Sequence, residues 1–398
     1  MVLRPDLLLL PLDDDLVAFS AEAQRLVALN ASAAACVRKL QAGTPVEDVP
    51  QWLVSEGIAP PEEAAAWVTT TLDALSSHGL LRGTEPPRIP SGQEVFERRH
   101  AVATAGMSAY TPVDTKLEQH YRLLDSSFTI RFAHFAQVRL IDAVIGHLKT
   151  DTISPDPIVI EIHAAKLENG HVRSDIYRDG KPVGFARRLS EVAPLVKGAV
   201  WQSAVENHDY RFYIHAGVVG TGESCIMLPA APGSGKSSLT AALTSKGLGY
   251  FSDEVALLER GTFKVSPVPL AFCVKNTGWD VISRYYPQIH EVPTHLRMDG
   301  KVVRYVPPPA DRVQRRAAPV RHIVFPRYNK DAETELKAIP RSEALRRLME
   351  ECMGLGETLT ADSVRELVDW IREIDCFTLE FCSVEQAAEL LIEATATL

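Results

Sequence analysis

One run of sixteen residues limits the possible folds more than any other: Cys225-Ile-Met-Leu-Pro-Ala-Ala-Pro-Gly-Ser-Gly-Lys-Ser-Ser-Leu-Thr240. Ile226 to Leu228 reads as a buried strand. Ala230 to Gly235 is a loop of small residues, and Ser238 to Gly247 continues with helical spacing. Strand, small-residue loop and helix in that order are what a phosphate-binding P-loop needs; the alternative, a surface loop opening an ordinary helix, leaves the Gly-Ser-Gly-Lys-Ser run unexplained. Gly233 and Gly235 carry no Cβ, so the backbone N–H groups of the loop, which runs through Ala230, Pro232 and Ser234 to Ser238, can curl toward phosphate oxygens. Lys236 is placed to reach the β- and γ-phosphates, and the Ser237 hydroxyl to meet Mg²⁺. The first glycine of the usual pattern is Ala230 here.

A chain of 398 residues implies two or three domains. Its net charge of -9 argues against a general nucleic-acid or membrane-surface binder, but leaves room for a local nucleotide site. No apolar run is long enough to span a bilayer. Leu7 to Leu10 is too short for a signal peptide and is followed by Pro11 and three acids. The six cysteines (Cys36, Cys225, Cys273, Cys352, Cys376 and Cys382) form no Cys-x-x-Cys pair or zinc-like cluster. Buried free thiols in a reducing cytoplasm are the simplest reading.

The N-terminal part has strand-like runs at Leu7–Leu10, Leu16–Phe19 and Arg25–Leu29, then three helical segments. Asn30 can cap the first helix, Ala31 to Gln41. Thr44-Pro-Val-Glu47 has capping-box spacing for the second. Pro61-Glu-Glu63 opens the third, with Ala65, Val68, Leu72 and Leu75 on one face. On Leu26-Val-Ala-Leu-Asn30, Gln41-Ala-Gly-Thr-Pro-Val-Glu47 and Leu75-Ser-Ser-His-Gly-Leu-Leu81, this part resembles the PqqD family, the precursor-recognition modules of ribosomally made, modified peptides. The resemblance implies a small α+β, winged-helix-like domain over residues 1–82. It also implies that a leader peptide adds as a strand near Arg25–Leu29 and packs on the helix near Ala64–Leu75. The alternative is a small domain that only dimerises or packs on the rest. Arg82 to Gly92, with three prolines and two glycines, reads as an exposed tether within a linker over 83–95.

The middle of the chain suggests a mixed sheet before the P-loop. Tyr121–Phe132, Pro157–His163, Val172–Tyr177 and Val183–Ala186 read as strands. Tyr210–Val219 reads as one more, and Phe135–Leu148 and Val192–Asn207 as helices. His163, His171 and His208 have no companions that suggest a metal.

After the P-loop helix comes Tyr250-Phe-Ser-Asp-Glu-Val-Ala-Leu-Leu-Glu259. An Asp253–Glu254 pair on or beside the next strand can lie near the P-loop. One carboxylate there can hold Mg²⁺ and the other can take a proton from an attacking hydroxyl. His215-Ala-Gly217, Ala230–Ser237 and Phe251-Ser-Asp-Glu-Val-Ala-Leu257 together resemble the catalytic core of the HPr kinase family, most of all its relatives in peptide-modification systems. Tyr121–Leu124, Ile130–Phe132 and Val320–Tyr328 agree with the same family. The resemblance implies an α/β P-loop kinase core with a mixed sheet over residues 96–398. It implies Asp253 as catalytic base, Glu254 as the second acid, at the metal, and His215 as the histidine that supports the base. The Gly-rich downstream signature of true HPr kinases and their N-terminal domain are absent, so HPr is not implied as substrate. Arg297, Lys301 and Arg304 are candidate cations for the transferring phosphoryl group.

The expectation is a cytoplasmic kinase that uses ATP and Mg²⁺ to phosphorylate a hydroxyl, serine foremost, on a precursor peptide held by its leader. Homo-oligomerisation is implied by resemblance alone. The alternatives are a small-molecule acceptor, or a non-catalytic, nucleotide-gated peptide scaffold.

Overall fold

A computed structural model describes residues 2–85, 103–107, 109–112, 117–166 and 172–396. Most of the expected linker, and His171, lie outside the described residues. The protein is mixed α/β, with parallel and antiparallel strands in the same sheets.

The first three strands, β1 (Leu7–Leu12), β2 (Asp15–Ser20) and β3 (Arg25–Leu29), form an antiparallel meander in chain order. Their side chains alternate between two apolar faces. Leu16, Ala18 and Leu29, with Leu7, Leu9 and Val27, pack on α1 (Ala31–Gln41), α2 (Val49–Ser55) and α3 (Ala64–Ser77). The Asn30 side chain accepts from the Ala33 amide and caps α1 as expected. The Thr44–Glu47 capping box does not form. A short 3-10 turn, Val46–Asp48, follows Pro45 there and receives no side-chain cap.

The other face, Leu12, Val17 and Phe19 with Leu8, Leu10 and Leu26, packs against Leu345, Leu348, Val364 and Leu367 far along the chain. Two apolar faces explain why Leu7 to Leu10 is an unbroken leucine run. Polar contacts border this interface. Ser342 donates to Asp15, Arg341 pairs with Asp13 at 3.3 Å, and Gln24 bonds the Leu359 amide and carbonyl at 3.2 and 3.0 Å. The N-terminal module is thus docked on the C-terminal helices.

The middle module is a five-stranded sheet in chain order: β4 (Glu118–Leu123), β5 (Ser126–Phe132), β6 (Ile158–Lys166), β7 (Val172–Arg178) and β8 (Lys181–Ala186). The expected single strand Tyr121–Phe132 is a hairpin, with Leu124 at φ +52° in the turn. β5 and β6 are parallel, linked through α4 (Phe135–Ile145). α4 and α5 (Leu189–Glu206) bury one face of the sheet against Val255, Leu257, Leu270 and Tyr305 of the next module.

That module is built on a ten-stranded sheet. The expected strand Tyr210–Val219 is broken at His215 into β9 (Phe212–Ile214) and β10 (Ala216–Gly220), which pair with different neighbours. β10 lies antiparallel between β11 (Cys225–Pro229) and β12 (Gly249–Ser252). β13 (Ala256–Leu258) and β14 (Lys264–Ser266) follow, and β15 (Phe272–Lys275), β16 (Thr294–Leu296) and β17 (Val302–Val306) form a separate small sheet. β18 (Ala318–Tyr328) runs parallel to β11 and to the later strand Asp375–Phe381. The carboxyl ends of β11, β12 and β18 therefore converge, and the start of the reversed β10 meets them there. Ligands bind at this end of open α/β sheets.

Cys36, Cys225, Cys273 and Cys376 are buried free thiols as expected; Cys352 is half-buried, and Cys382 is exposed. Among the described residues no helix is long and apolar enough to cross a membrane.

Candidate active site

β11 ends at Pro229 and the chain enters the small-residue loop. Gly233 and Gly235 adopt left-handed φ of +100° and +86°. Gly235 stands at the N-terminus of α6 (Lys236–Ser245). A Cβ there would lie 2.7 Å from Phe381 Cζ and 3.3 Å from Tyr328 Cβ, so space and backbone both demand glycine. The Tyr328 amide donates to Ser234 O at 2.9 Å and the Ala230 amide to His215 O at 3.4 Å. These bonds pin the loop between β10 and β18. Pro232 and Gly233 are exposed at its crest, while Ser234, Ser237 and Ser238 are half-buried. The first N–H groups of α6 have no helical partner. They make an anion-binding end, favoured by the helix dipole.

Gly217 brings α6 onto β10. A Cβ at 217 would lie 2.3 Å from Thr240 Oγ1 and 3.4 Å from Lys236 Cγ. The expected His215-Ala-Gly217 motif thus serves close packing.

Lys236 is 7% exposed, and its ammonium donates to the Asp253 carbonyl at 2.6 Å. This bond ties the first residue of α6 to the end of β12. Asp253 and Glu254 fall between β12 and β13, in the turn and not on a strand. Asp253 is 1% exposed. The Ser237 hydroxyl comes near enough to favour its charged form, yet neither carboxylate oxygen has a partner at full hydrogen-bond geometry. Burial pushes its pKa up to about 6; Lys236, Ser237 and Lys197 oppose that rise, and Glu254 adds to it. Asp253 is therefore ionised at neutral pH and more basic than an ordinary aspartate, as a general base should be.

Burial also works to raise the Glu254 carboxyl, but Lys197, Lys236 and Arg297 outweigh it and its pKa is lowered. Its direct partner is the Lys197 ammonium, from α5 of the middle module. Lys197 is absent from the sequence expectation. Its signal was a lysine among Ala193, Val196 and Val200, on the buried face of a helix.

His215 stands at the break between β9 and β10. Its amide donates to Glu351 O at 2.8 Å, and its Nδ1 lies 3.3 Å from Glu351 Oε2. Burial, then the nearby Lys236, push its pKa down to about 4, with Glu254 pulling up and Lys275 pushing down. The imidazole is neutral at pH 7. With Nδ1–H donating to Glu351, Nε2 carries the lone pair. Glu351 and Lys275 were also missed, since each is an ordinary charged residue at the end of an element.

The three expected cations separate. Arg297 lies near enough to act on Glu254, and pairs with Asp299 at 3.3 Å. Lys301 is half exposed and bound to Asp299 at 3.1 Å. Arg304 lies 4.1 Å from the Trp279 ring centre and donates to Ile289 O, a packing role.

Among the described residues no group of three or more His, Cys, Asp or Glu could hold a metal ion alone. Mg²⁺ accompanying a nucleotide needs only one or two carboxylates, because phosphates and waters complete its shell. The Ser237 hydroxyl, the Glu254 carboxylate and the unpartnered oxygens of Asp253 fit that requirement. The Ser234 hydroxyl, also buried and unpartnered, fits a phosphate in the loop.

β3, the expected leader edge, is an edge of its sheet, and no strand pairs with its outer side among the described residues. Its Leu26 packs in the cluster that holds Ala344 and Leu348.

No family model matches the chain, and no curated protein does. A solved structure of TbiB1 in complex with the TbiA(β) leader peptide is similar to 21% of this chain and 96% of its own, at 19% identity. The TM-score of that likeness is 0.20, too low to carry an argument.

Proposed function

We propose that this protein is an ATP- and Mg²⁺-dependent phosphotransferase. It transfers the γ-phosphoryl group to a serine hydroxyl of a ribosomally made precursor peptide, whose leader is held by the N-terminal module. The observation that carries the chemistry is Asp253: a buried carboxylate whose oxygens have no full-geometry hydrogen bond among the described residues, on a residue whose backbone carbonyl accepts from Lys236. A stable fold has no use for such a group, whereas a proton acceptor beside a phosphate site needs one.

In the proposed step Asp253 takes the proton of the acceptor hydroxyl. The oxygen forms a bond to the γ-phosphorus, the bond from that phosphorus to the bridging oxygen breaks, and the nucleoside diphosphate leaves. Lys236 and the N-terminus of α6 face the charge that shifts onto the phosphate oxygens. Mg²⁺, when bound, supplies further charge neutralisation, and Ser237 and Glu254 are the residues that would hold it. His215 stays neutral, so it adds no positive charge that would weaken Asp253 as a base.

The peptide acceptor rests on the resemblance of the first 82 residues to precursor-recognition modules. It is supported by how that module is docked. The helix Arg341–Glu350 begins at its Asp13 and Asp15 and ends one residue before Glu351, the partner of His215. A leader on the module would keep its acceptor residue at high local concentration. The test is intact-mass spectrometry of a leader-bearing precursor peptide incubated with protein, ATP and Mg²⁺. One added phosphoryl group, lost in Asp253→Asn and reduced without the leader, is the expected result. No transfer despite tight binding of peptide and nucleotide would replace this reading with that of a scaffold.

A further inference from the structure

Lys197 sits in the middle of α5, a helix of the five-stranded module, and is 4% exposed. Its neighbours on that face, Ala193, Val196 and Val200, are all buried and apolar. An ammonium in such a place is unfavourable unless it is paired. Its ion-pair partner is Glu254 Oε2, and the ring centre of Tyr305 lies 5.3 Å away. Packing alone does not call for this residue. A methionine would fill the same volume, and replacing buried ion pairs by apolar groups is often neutral or stabilising. Glu254 is what calls for it. Of the other nearby cations, Arg297 is already engaged by Asp299 and Cys273, and Lys236 by the Asp253 carbonyl.

We infer that Lys197 is a positioning residue. It holds the Glu254 carboxylate in one orientation beside Asp253, so that Glu254 meets the cation that accompanies the nucleotide. The five-stranded module is then part of the active site, because its helix supplies the group that aims a residue of the P-loop module. This inference rests on the phosphotransferase reading, and the experiment separates the two.

The probe is a fluorescent N-methylanthraniloyl ATP, titrated into the full-length protein over a series of Mg²⁺ concentrations. Removing the partner of a metal-holding residue weakens metal affinity by roughly 10–100-fold. Lys197→Met should raise the half-saturating Mg²⁺ concentration by about that factor, and leave metal-free nucleotide binding unchanged. Lys197→Arg, which keeps a cation, should recover most of the loss. A folded Lys197→Met variant with wild-type Mg²⁺ dependence would overturn the inference. If Lys197→Met does not fold, the double variant Lys197→Met/Glu254→Gln leaves no unpaired charge. It should show the Mg²⁺ dependence of Glu254→Gln alone; a further loss would mean that Lys197 does not act through Glu254, and overturns the proposal. A wild-type protein that binds no analogue at any Mg²⁺ concentration would instead remove the nucleotide reading, and this inference with it.

Discussion

Asp253 offers a test in which stability and activity should move in opposite directions. Its pKa is raised by burial from 3.8 to about 6, and its oxygens have no full-geometry hydrogen bond among the described residues. That rise corresponds to roughly 3 kcal/mol by which folding disfavours the charged carboxylate. The folded pKa lies above the unfolded one. The penalty is therefore absent below the unfolded value, grows between 3.8 and about 6, and is full above that. Asp253→Asn keeps the shape and removes the charge, but its amide brings donors that need partners, at a cost of about 1 kcal/mol. A net gain of about 1–2 kcal/mol is expected at pH 8 without nucleotide or metal. Unfolding entropies of about 2 cal/mol/K per residue make that a rise of roughly 1–2 °C in Tm for a chain of this length. Paired calorimetric scans at pH 8 and pH 4 measure it. The variant should be the more stable at pH 8, lose that advantage at pH 4, and transfer no phosphate at either. A variant less stable than wild type at pH 8, or a gain that does not depend on pH, would refute the view of Asp253 as a strained, desolvated base.

Phosphoryl transfer should fall about tenfold per pH unit below about pH 6, as Asp253 takes its proton, and show no second acid limb until His215 titrates near 4; a plateau down to pH 5 in the pH–rate profile would contradict this. Lys236→Met removes the ammonium that ties the loop to the Asp253 carbonyl, and should weaken nucleotide binding at least about tenfold by calorimetric titration, since charged hydrogen bonds contribute about 1.5–3 kcal/mol. Gly217→Ala places a Cβ 2.3 Å from Thr240 Oγ1 and should destabilise by about 1–3 kcal/mol in urea melts. Thr240→Ala in the same chain should recover part of that loss, and strictly additive losses would show that the contact is not the cause.

The glycine-rich loop, the strand and helix on either side of it, and the position of the acidic pair were legible because their signals are local. Glycines at positive φ, a small-residue loop and the onset of helical spacing all lie within one short run of chain. The N-terminal strands and helices were legible for the same reason, with boundaries close to those observed. The Thr44–Glu47 capping box failed because Pro45 opens a 3-10 turn there, so the spacing could not be used. The strand expected over Tyr210–Val219 failed at His215, where the chain leaves one pair of neighbours for another. Nothing in an apolar run announces such a change of partner.

The sequence by itself named the candidate residues, Lys236, Ser237, Asp253, Glu254 and His215. Only the tertiary structure decided how they are held. Reversed β10 lies between β11 and β12, and this insertion gathers all five residues at one end of the sheet. Lys197 and Glu351 joined them through contacts 57 and 136 residues apart in the chain. The docking of the N-terminal sheet on the C-terminal helices likewise turned an expected tethered module into a fixed one. The physical reason is range. Backbone conformation and periodicity are set by near neighbours, whereas ion pairs, buried charges and close packing depend on which distant segments the folded core brings together.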